Sequence, residues 1–344
     1  MAYAKLIHGD AVFNELAEVW NDLAGQGMTD TPFQRLAYQR AWWQLLHPPD
    51  STLHTVIVRG EQGNHVAIGC FYLHEGALYF NGCVEETDYL DLIALADQAE
   101  AAWTAVFECL HSPEAPPWKT IDLCNIPADS PTRTILPRLA ARYGLSFAES
   151  VHEVCPIIKL PQSFAAYLEG LDKKQRHEVR RKLRRAAGAG AEVVTVGPDD
   201  DLEQAVNAFL DLLQKSTVEK REWLNDGRRA VFHETARDAL EAGILQLMFI
   251  EVEGQKAAAL FNFDYRSRIW VYNSGLNPAL FGNLSLGVVL TARSIEMAIE
   301  NGRAVFDFLR GNETYKYRFG AVDTKIYRLQ LARGNDSLRQ ENSN

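Results

Sequence analysis

The sequence predicts an α/β protein made of two similar halves, each a mixed sheet flanked by helices. Apolar runs of strand length alternate with stretches of helical periodicity, and the same order of elements occurs twice in 344 residues. Tight hairpins make neighbouring strands antiparallel, whereas helical crossovers make them parallel, so both sheets should be mixed. A chain of this length also exceeds the size that one hydrophobic core usually serves.

The first half contains three strand-like runs, followed by a helix, a strand and a second helix. The polar turn 61–64 joins the first two runs, which are rich in β-branched and aromatic residues. The predicted strands are Leu53–Arg59, Val66–Leu73, Ala77–Asn81 and Thr120–Cys124, and the predicted helices are Asp97–Leu110 and Pro131–Tyr143.

The second half repeats this order. A turn at 253–255 joins its first two strands, and Asn301-Gly302 is a typical end for its long helix. The predicted strands are Leu245–Glu251, Lys256–Tyr265, Arg268–Ser274 and Ala304–Phe308, the helices are Ser285–Glu300 and Glu313–Phe319, and a strand over Lys325–Leu331 is expected to close this half.

Between the halves, four amphipathic stretches predict a helical connector over residues 156–243 that packs on both halves. We therefore expect an N-terminal domain over 1–155, a C-terminal half over 244–334 and a disordered tail over 335–344. The predicted connector helices are Ser163–Leu171, Asp172–Ala187, Asp201–Lys215 and Gly227–Ala242, with Asp172 as an N-cap.

Composition narrows the possible partners and the compartment. A net charge of −10 repels nucleic acid and anionic membranes, and no apolar run is long enough to span a bilayer. The N-terminus lacks the pattern of a signal peptide, which predicts a cytoplasmic protein. Five scattered cysteines, none in CxxC spacing, predict free thiols, and no histidine pattern indicates a metal site.

The strongest local signal is the turn that follows the third strand of the second half. Residues 277–287 leave a strand and open a helix, where free backbone N–H groups and the helix dipole favour an anion. Gly282 and Gly287 allow a phosphate to approach the backbone closely, and Ser285 can cap the helix. No Asp or Glu occurs between Tyr265 and Ile295. The sequence therefore predicts a polyanion site here, although an ordinary strand–helix loop has the same spacing.

The corresponding turn of the first half has the opposite charge. Residues 85–91 contain four carboxylates, which would repel a diphosphate. We therefore expect the two halves to have diverged, with only the second able to hold a nucleotide. Tyr89 and Asp91 are instead expected to contact the acceptor substrate in a cleft between the halves.

A second polar segment, 306–320, follows the short strand near the C-terminus. Ligands of α/β sheets bind at the carboxyl ends of strands, and Asp307 lies at such an end. Glu313 could accept a proton from an amine, and Tyr315 could protonate a departing thiolate. Arg310 and Lys316 are expected to contact substrate; alternatively, Asp307 and Arg310 form a structural ion pair.

The phrase FDFLRGNETYKYRFG, at 306–320, resembles the hallmark of the CelD-type (BioF-like) acetyltransferases, a group of the GNAT superfamily related to the Fem peptidyltransferases. The basic run 173–185 is similar to the connector helix of that family, and residues 88–91 and 32–43 are similar to its first half. The resemblance covers roughly residues 32–331.

The resemblance implies a tandem GNAT fold that uses acetyl-CoA or another acyl-CoA, without a metal, to acylate an amine on an envelope sugar or polysaccharide precursor. The pantetheine arm would lie along 270–275 as an added strand, with an oxyanion contact near Tyr272–Ser274. The loop 281–287 departs from the family pattern because it lacks the first basic residue. The donor-binding residues implied are Tyr272, Asn273, Ser274, Gly275, Gly282, Asn283, Leu284, Ser285, Leu286 and Gly287.

Eight of the thirteen residues 173–185 are Lys or Arg. We interpret this helix as a solvated face that steers an anionic substrate and lies away from the donor loop; an RNA contact is the alternative. Two other functions stay open: a Fem-like transferase that uses aminoacyl-tRNA, and a non-catalytic binding protein with the same fold. The sequence does not indicate the oligomeric state.

Overall fold

The computed structural model describes residues 3–83 and 86–334, and these form two compact units. The first unit comprises the chain up to Glu153 together with the residues from Lys325 onward, and the second comprises Val154–Thr324. The helices of the predicted connector therefore belong to the second unit. The predicted tail, 335–344, lies outside the described residues.

The first unit contains a mixed sheet and helices on both of its faces. Strands β1 (Tyr3–His8), β2 (Thr52–Arg59), β3 (His65–His74) and β4 (Ala77–Phe80) are antiparallel neighbours. Strand β4 pairs in parallel with β6 (Thr120–Pro127), β6 pairs antiparallel with β13 (Val322–Arg333), and the short β5 (Ile93–Ala94) pairs with β3. In chain order, the helices and strands from the N-terminus to β7, which runs past Glu153 into the second unit, are β1 Tyr3–His8, α1 Val12–Glu15, α2 Trp20–Gly25, α3 Leu36–Leu46, β2 Thr52–Arg59, β3 His65–His74, β4 Ala77–Phe80, β5 Ile93–Ala94, α4 Ala99–Leu110, β6 Thr120–Pro127, α5 Thr132–Tyr143 and β7 Leu145–Lys159.

Two hydrophobic clusters fill the first unit, one on each face of its sheet. One is built around α4 and α5 and includes Trp103 and Phe107; the other is built around α1–α3 and includes Trp20 and Trp42. All four rings are almost fully buried. Aromatic burial of this extent contributes much of the stability of a domain.

The second unit has a sheet of the same kind. Its strands run in the order β7-β12-β11-β10-β9-β8, and only the β11–β12 pair is parallel. Its elements after β7 are α6 Phe164–Gly170, α7 Lys173–Gly188, β8 Glu192–Thr195, α8 Leu202–Ser216, α9 Val218–Trp223, α10 Asp226–Glu241, β9 Leu245–Val252, β10 Gln255–Tyr265, β11 Arg268–Leu276, α11 Leu286–Glu300, β12 Val305–Asp307 and α12 Thr314–Arg318, and the final strand is β13 Val322–Arg333.

Local sequence signals explain most element boundaries in this unit. The Asp172 carboxylate accepts a hydrogen bond from the Gln175 N–H and caps α7 as predicted, and Gly302 adopts a left-handed conformation (φ 69°) just after α11. One face of the sheet packs on α6, α7 and α11. The other packs on α8 and α10 through Phe209, Phe232 and Phe261.

Two expectations from the sequence were wrong. The run Lys325–Leu331 is a strand, but it pairs with β6 in the first unit and does not close the second. An apolar run predicts a strand but not its partner. Cys83 and Cys124 form a disulfide, with their Cα atoms 6.3 Å apart, whereas free thiols were expected. They are 41 residues apart and come together only through the sheet.

Within the described residues, no helix is both long and apolar enough to cross a membrane.

Candidate active site

The second unit contains a cavity of about 300 Å³ beside the end of β11. This volume is at the lower end of the range of small-molecule sites. Its wall consists of the end of β11, the loop that follows it, the first two turns of α11, and aromatic rings from 308–319. The lining residues at the heart of the cavity are Ser274, Gly275, Leu276, Phe281, Ser285 and Tyr315.

The wall formed by β11 has a free edge. Strand β12 pairs with β11 only from Arg268 to Trp270, and after Asp307 its chain turns toward β7, where the Phe308 N–H donates to the Pro156 carbonyl. β11 itself continues to Leu276. The described strands therefore leave the last six residues of β11 without a neighbouring strand on this side. Side chains occupy part of this edge, because the Ser274 carbonyl accepts from Lys220 and the Leu276 N–H donates to the Ser216 hydroxyl. An extended ligand could lie along this edge, as an added strand does.

A β-bulge accompanies this splayed edge. Phe261 of β10 opposes Asn273, whereas the next residue, Asn262, opposes Val271, so Tyr272 is the extra residue on β11. A bulge re-aims side chains and leaves its extra residue out of the ladder. The Tyr272 ring consequently packs on Phe232 and Phe263, away from the cavity.

The loop after β11 presents backbone to the cavity. Phe281 and Ser285 adopt left-handed conformations (φ 49° and 55°) on either side of a 3-10 turn at Gly282–Leu284, and α11 begins directly afterwards. The Ser285 carbonyl accepts from the Val288 and Val289 N–H groups, but its hydroxyl makes no cap, contrary to expectation. The first N–H groups of α11 have no partner inside the helix and favour an anion.

The lining of the cavity is apolar and uncharged. No Asp, Glu, Lys or Arg occurs among the described residues that line it. The absence of carboxylates there agrees with the acid-free stretch of the sequence. A phosphate at this loop would thus meet backbone donors but no side-chain cation from the lining itself.

The structure brings six of the ten expected donor residues to the cavity wall. Among the others, the Asn273 side chain accepts from the Ser274 N–H, Leu284 is buried, and Asn283 is exposed on the 3-10 turn. Tyr272 points to the opposite face of the sheet, as described above. The six that line the cavity are Ser274, Gly275, Gly282, Ser285, Leu286 and Gly287.

Gly275 is required by close packing. A Cβ atom at this position would lie 2.7 Å from the Leu212 Cβ and 2.7 Å from the Leu213 backbone nitrogen of α8. Because these atoms belong to the backbone of α8 or are bonded directly to it, a side chain at position 275 would force the helix itself to move. Gly275 therefore lets α8 press against β11 where the strand borders the cavity.

Asp307 has a structural environment and does not reach the cavity. Its side chain is fully buried, it forms an ion pair with Arg268 (3.1 Å), and it accepts from the Leu309 N–H (2.8 Å). These contacts favour a structural role over the catalytic role expected from the sequence. Asp307 instead fixes the turn that separates β12 from β11.

Lys316 holds the loop that precedes α12. It is 2% exposed, and its ammonium donates to the carbonyl oxygens of Leu309, Arg310 and Gly311 and pairs with Glu313 (2.9 Å). All of its donors are used within the protein, so the expected contact with substrate is not present. Arg310 is half-buried in the same loop.

Glu313 and Tyr315 remain next to the cavity. The Glu313 side chain is exposed, and Gly311 (φ 103°) leaves room for it, since a Cβ at Gly311 would lie 2.5 Å from the Glu313 carboxylate. The Tyr315 ring lines the cavity and meets the Phe308 ring edge-on. Burial, and then the charge of Glu313, raise the pKa of the Tyr315 phenol, so it stays protonated.

In the first unit, Tyr89 and Asp91 are buried. The Asp91 carboxylate accepts hydrogen bonds from the hydroxyls of Thr29, Ser130 and Thr132 and from the Leu92 N–H. Burial raises the pKa of Asp91, while these hydrogen bonds oppose the shift. A carboxylate with four donors of its own has a structural role, so the expected contact with substrate is not supported.

Lys220 is a residue that sequence reasoning missed. Its ammonium donates to the Ser274 carbonyl (2.6 Å), the Asn273 side-chain oxygen (3.1 Å) and the Ser274 hydroxyl (3.4 Å), just behind the cavity wall. Burial lowers its pKa to about 8, with smaller effects from Glu313 and Lys316. No motif surrounds Lys220 in the sequence; only the fold brings α9 to the end of β11.

The basic helix α7 lies closer to the donor loop than expected. It packs against α11 and against the 3-10 turn at Gly282–Leu284, with Val179 and Ala186 buried. A second, smaller cavity of about 40 Å³ lies between α7, Val288 in the first turn of α11, and Tyr315. The expectation that this helix lies away from the donor loop was therefore wrong.

Residues 173–317 match the family described as an acetyltransferase (GNAT) domain. This range begins at α7 and ends within α12, and it includes every lining residue of the cavity except Phe319. This part of the second unit is thus similar to a GNAT acetyltransferase domain. No protein among curated sequences matches the chain.

Solved structures share the fold over nearly the whole chain. FemX has 12% sequence identity and a TM-score of 0.64, and the match covers 94% of this chain and 96% of FemX. The C-terminal domain (DUF2156) of a putative lysylphosphatidylglycerol synthetase from Agrobacterium fabrum has 11% identity and a TM-score of 0.55, covering 94% and 93%. L-PGS from Bacillus licheniformis has 13% identity and a TM-score of 0.57, covering 83% and 85%. At these identities the likeness shows the fold alone.

Proposed function

We propose that this protein is an acyltransferase that moves an acyl group from acyl-CoA, with acetyl-CoA as the simplest donor, to an amine. The observation that carries the proposal is the cavity itself. It joins a free strand edge to the N-terminus of a helix through a loop rich in exposed backbone. A ligand with an extended arm that contains amides and ends in phosphates would fit this combination. Its amides would match the strand edge, and its phosphates would match the helix N-terminus. A cytoplasmic location and an amine on a sugar or glycan precursor stay predictions.

The donor would lie along the wall from β11 to α11. Its pantetheine arm would lie along the edge of β11 that β12 leaves after Trp270, in the manner of an added strand. Pairing at Ser274 and Leu276 would replace the hydrogen bonds that these residues make to Lys220 and to the Ser216 hydroxyl. The diphosphate would then meet the N–H groups of the loop at Gly282 and of the first turn of α11. The absence of carboxylates from the described lining supports a polyanion at this position.

The chemistry would follow from the bulge and from α12. The acceptor nitrogen attacks the thioester carbon, the C–N bond forms and the C–S bond breaks. Backbone N–H groups beside the bulge at Tyr272 would stabilise the oxyanion. The exposed Glu313 carboxylate would accept the proton of the amine, directly or through water.

Tyr315 would hydrogen-bond the departing sulfur. Because its pKa is raised, complete proton transfer from the phenol to a thiolate is uphill, and solvent would supply the proton. Lys220 would act as a positioning residue that holds the Ser274 carbonyl and the Asn273 side chain, and with them the end of β11.

Binding of acetyl-CoA tests this proposal directly. A ligand that binds only the folded protein raises its stability by about 2.7 kcal/mol when present at 100 times its Kd, so the melting temperature should rise. Gly282→Asp should remove the rise because it places a carboxylate against the phosphates. Gly282→Asn is the matched control: a Cβ at Gly282 meets nothing within 4 Å, and the amide carries no charge.

Two results would contradict the proposal. If acetyl-CoA causes no rise in the wild-type melting temperature, the cavity is not a donor site. If an aminoacyl-tRNA stabilises the protein and acetyl-CoA does not, the aminoacyl-transfer alternative is favoured. Equal binding to the Gly282→Asp and Gly282→Asn variants would show that the phosphates lie elsewhere.

A further inference from the structure

The donor loop provides backbone donors but no positive charge. In the part of the chain that the structure describes, none of the residues lining the main cavity is a lysine or an arginine. A diphosphate carries more than one negative charge, and hydrogen bonds from charged donors are roughly twice as strong as those from neutral ones. Cations from another element would therefore complete this site.

The smaller cavity shows which element can provide them. Val288 and Tyr315 line both cavities, so the two spaces adjoin at the first turn of α11. Lys182 of α7 and Arg318 of α12 line the smaller one. These two cations thus flank the helix terminus at which the diphosphate is proposed to bind.

Local charges leave both cations available. Glu178 also lines the smaller cavity, but its carboxylate forms a paired contact with Arg181 (2.8 Å), whose guanidinium neutralises it. Among the described residues, no carboxylate forms an ion pair with Lys182 or Arg318. Lys182 is half-buried against the core of the unit, which limits its freedom and reduces the entropy lost on binding.

We propose that Lys182 and Arg318 bind the diphosphate of a CoA-type donor, supplying from α7 and α12 the charge that the loop 277–287 lacks. This inference rests on the proposed function, because it assumes that the donor carries phosphates at the start of α11. It also gives the basic helix a defined role: one of its cations belongs to the donor site, and most of the others lie on the exposed surface.

The test measures binding of CoA and of pantetheine, which has no phosphates, by isothermal titration calorimetry. Lys182→Gln and Arg318→Gln should each weaken CoA binding about 10-fold, as expected for one charged hydrogen bond, and the double variant more strongly. Pantetheine binding should not change. Lys173→Gln and Arg184→Gln, at exposed positions on the same helix, serve as matched controls and should bind CoA like the wild type.

Salt gives a second readout. The affinity of the wild type for CoA should fall as ionic strength rises, because exposed charges are screened, and that of the double variant should fall less. A purely structural loss would not change this slope. Circular dichroism confirms that each variant is folded.

Several results would overturn the inference. One is unchanged CoA binding by both variants while the wild type binds CoA, which would leave the proposed function intact. Another is an equal loss of CoA and pantetheine affinity, which would indicate a damaged cavity. A third is loss of binding to an RNA hairpin with CoA binding unchanged, which would assign these residues to an RNA surface. If the wild type binds no CoA at all, the proposed function itself fails.

Discussion

The two units follow the same order of elements but use the end of the third strand differently. In the second unit this place is an open cavity of about 300 Å³, whereas in the first it is a space of about 10 Å³ around Phe80 and Asn81. The smaller space holds at most one water molecule. Of these two places, only the one in the second unit has room for a ligand.

Side-chain hydrogen bonds fill the space in the first unit. The Asn81 side chain donates to the Gln39 carbonyl and to its side-chain oxygen, and the Asn125 side chain donates to the Thr87 carbonyl. Asp91 binds three hydroxyls nearby. In the second unit the corresponding turn, 277–287, has no carboxylate, and most of its residues are small or apolar. The same order of elements thus holds a network of polar side chains in the first unit and an open cavity in the second.

The largest effect expected from this comparison lies in the first unit. Asp91→Ala would leave three buried hydroxyls without their acceptor, a loss of about 3–5 kcal/mol, and should lower the melting temperature by roughly 10 °C. Protein that remains folded should still bind acetyl-CoA normally. Calorimetry measures the melting temperature and the binding of acetyl-CoA. Asp97→Ala, on the exposed turn before α4, is the control and should change neither. If Asp91→Ala loses CoA binding but little stability, Asp91 has a role in the active site and not a structural one.

In the second unit, packing behind the cavity gives the next effect. Gly275→Ala would push a Cβ atom into the Leu212 and Leu213 backbone, so we expect a loss of about 1–3 kcal/mol and weaker binding of acetyl-CoA. Gly282→Ala, where the new Cβ meets nothing within 4 Å, should leave stability unchanged. Thermal melts of the two variants with and without acetyl-CoA separate these outcomes. Equal stability of both would mean that α8 does not press on β11.

Sequence reasoning recovered much of the fold and the position of the cavity, but less of its chemistry. The hairpins, crossover helices and acid-free loop are local patterns, and six of the residues expected to bind a donor line the cavity. Asp307, Asp91 and Lys316 are polar residues at positions where the sequence predicts a site. In the structure their charged groups bind other parts of the protein: Asp307 pairs with Arg268, Asp91 accepts from Thr132, and Lys316 donates to carbonyls of its own loop. Lys220 shows the converse: its position depends on the packing of α9 against β11, which no local pattern encodes.

Tyr315→Phe tests the chemistry that distinguishes the second unit. Loss of one hydrogen bond to the developing thiolate should reduce turnover by about 10- to 100-fold, with stability and acetyl-CoA affinity unchanged. Thiol release from acetyl-CoA, with a panel of amino sugars as acceptors, provides the assay. Tyr317→Phe is the matched control, because its hydroxyl binds Asp323 (2.7 Å) and its ring does not line the cavity. Full activity of Tyr315→Phe would remove this residue from the mechanism.

The smallest effect should come from Lys220, through the pH dependence of stability. Its pKa is about 8 in the folded protein and about 10.4 in the unfolded chain, so between these values the unfolded chain binds more protons. Stability should therefore rise with pH in this window because of Lys220. Lys220→Met removes the titration, so wild-type stability should gain about 1–2 kcal/mol relative to the variant between pH 7.5 and 9.5. The loss of three hydrogen bonds in the variant does not depend on pH and shifts its whole curve. Melting curves of both proteins across this range, with Lys215→Met on exposed surface as control, measure the difference. Parallel curves for wild type and Lys220→Met would show that the amine is as well solvated as an ordinary surface lysine, and that it does not fix the end of β11 from a buried position.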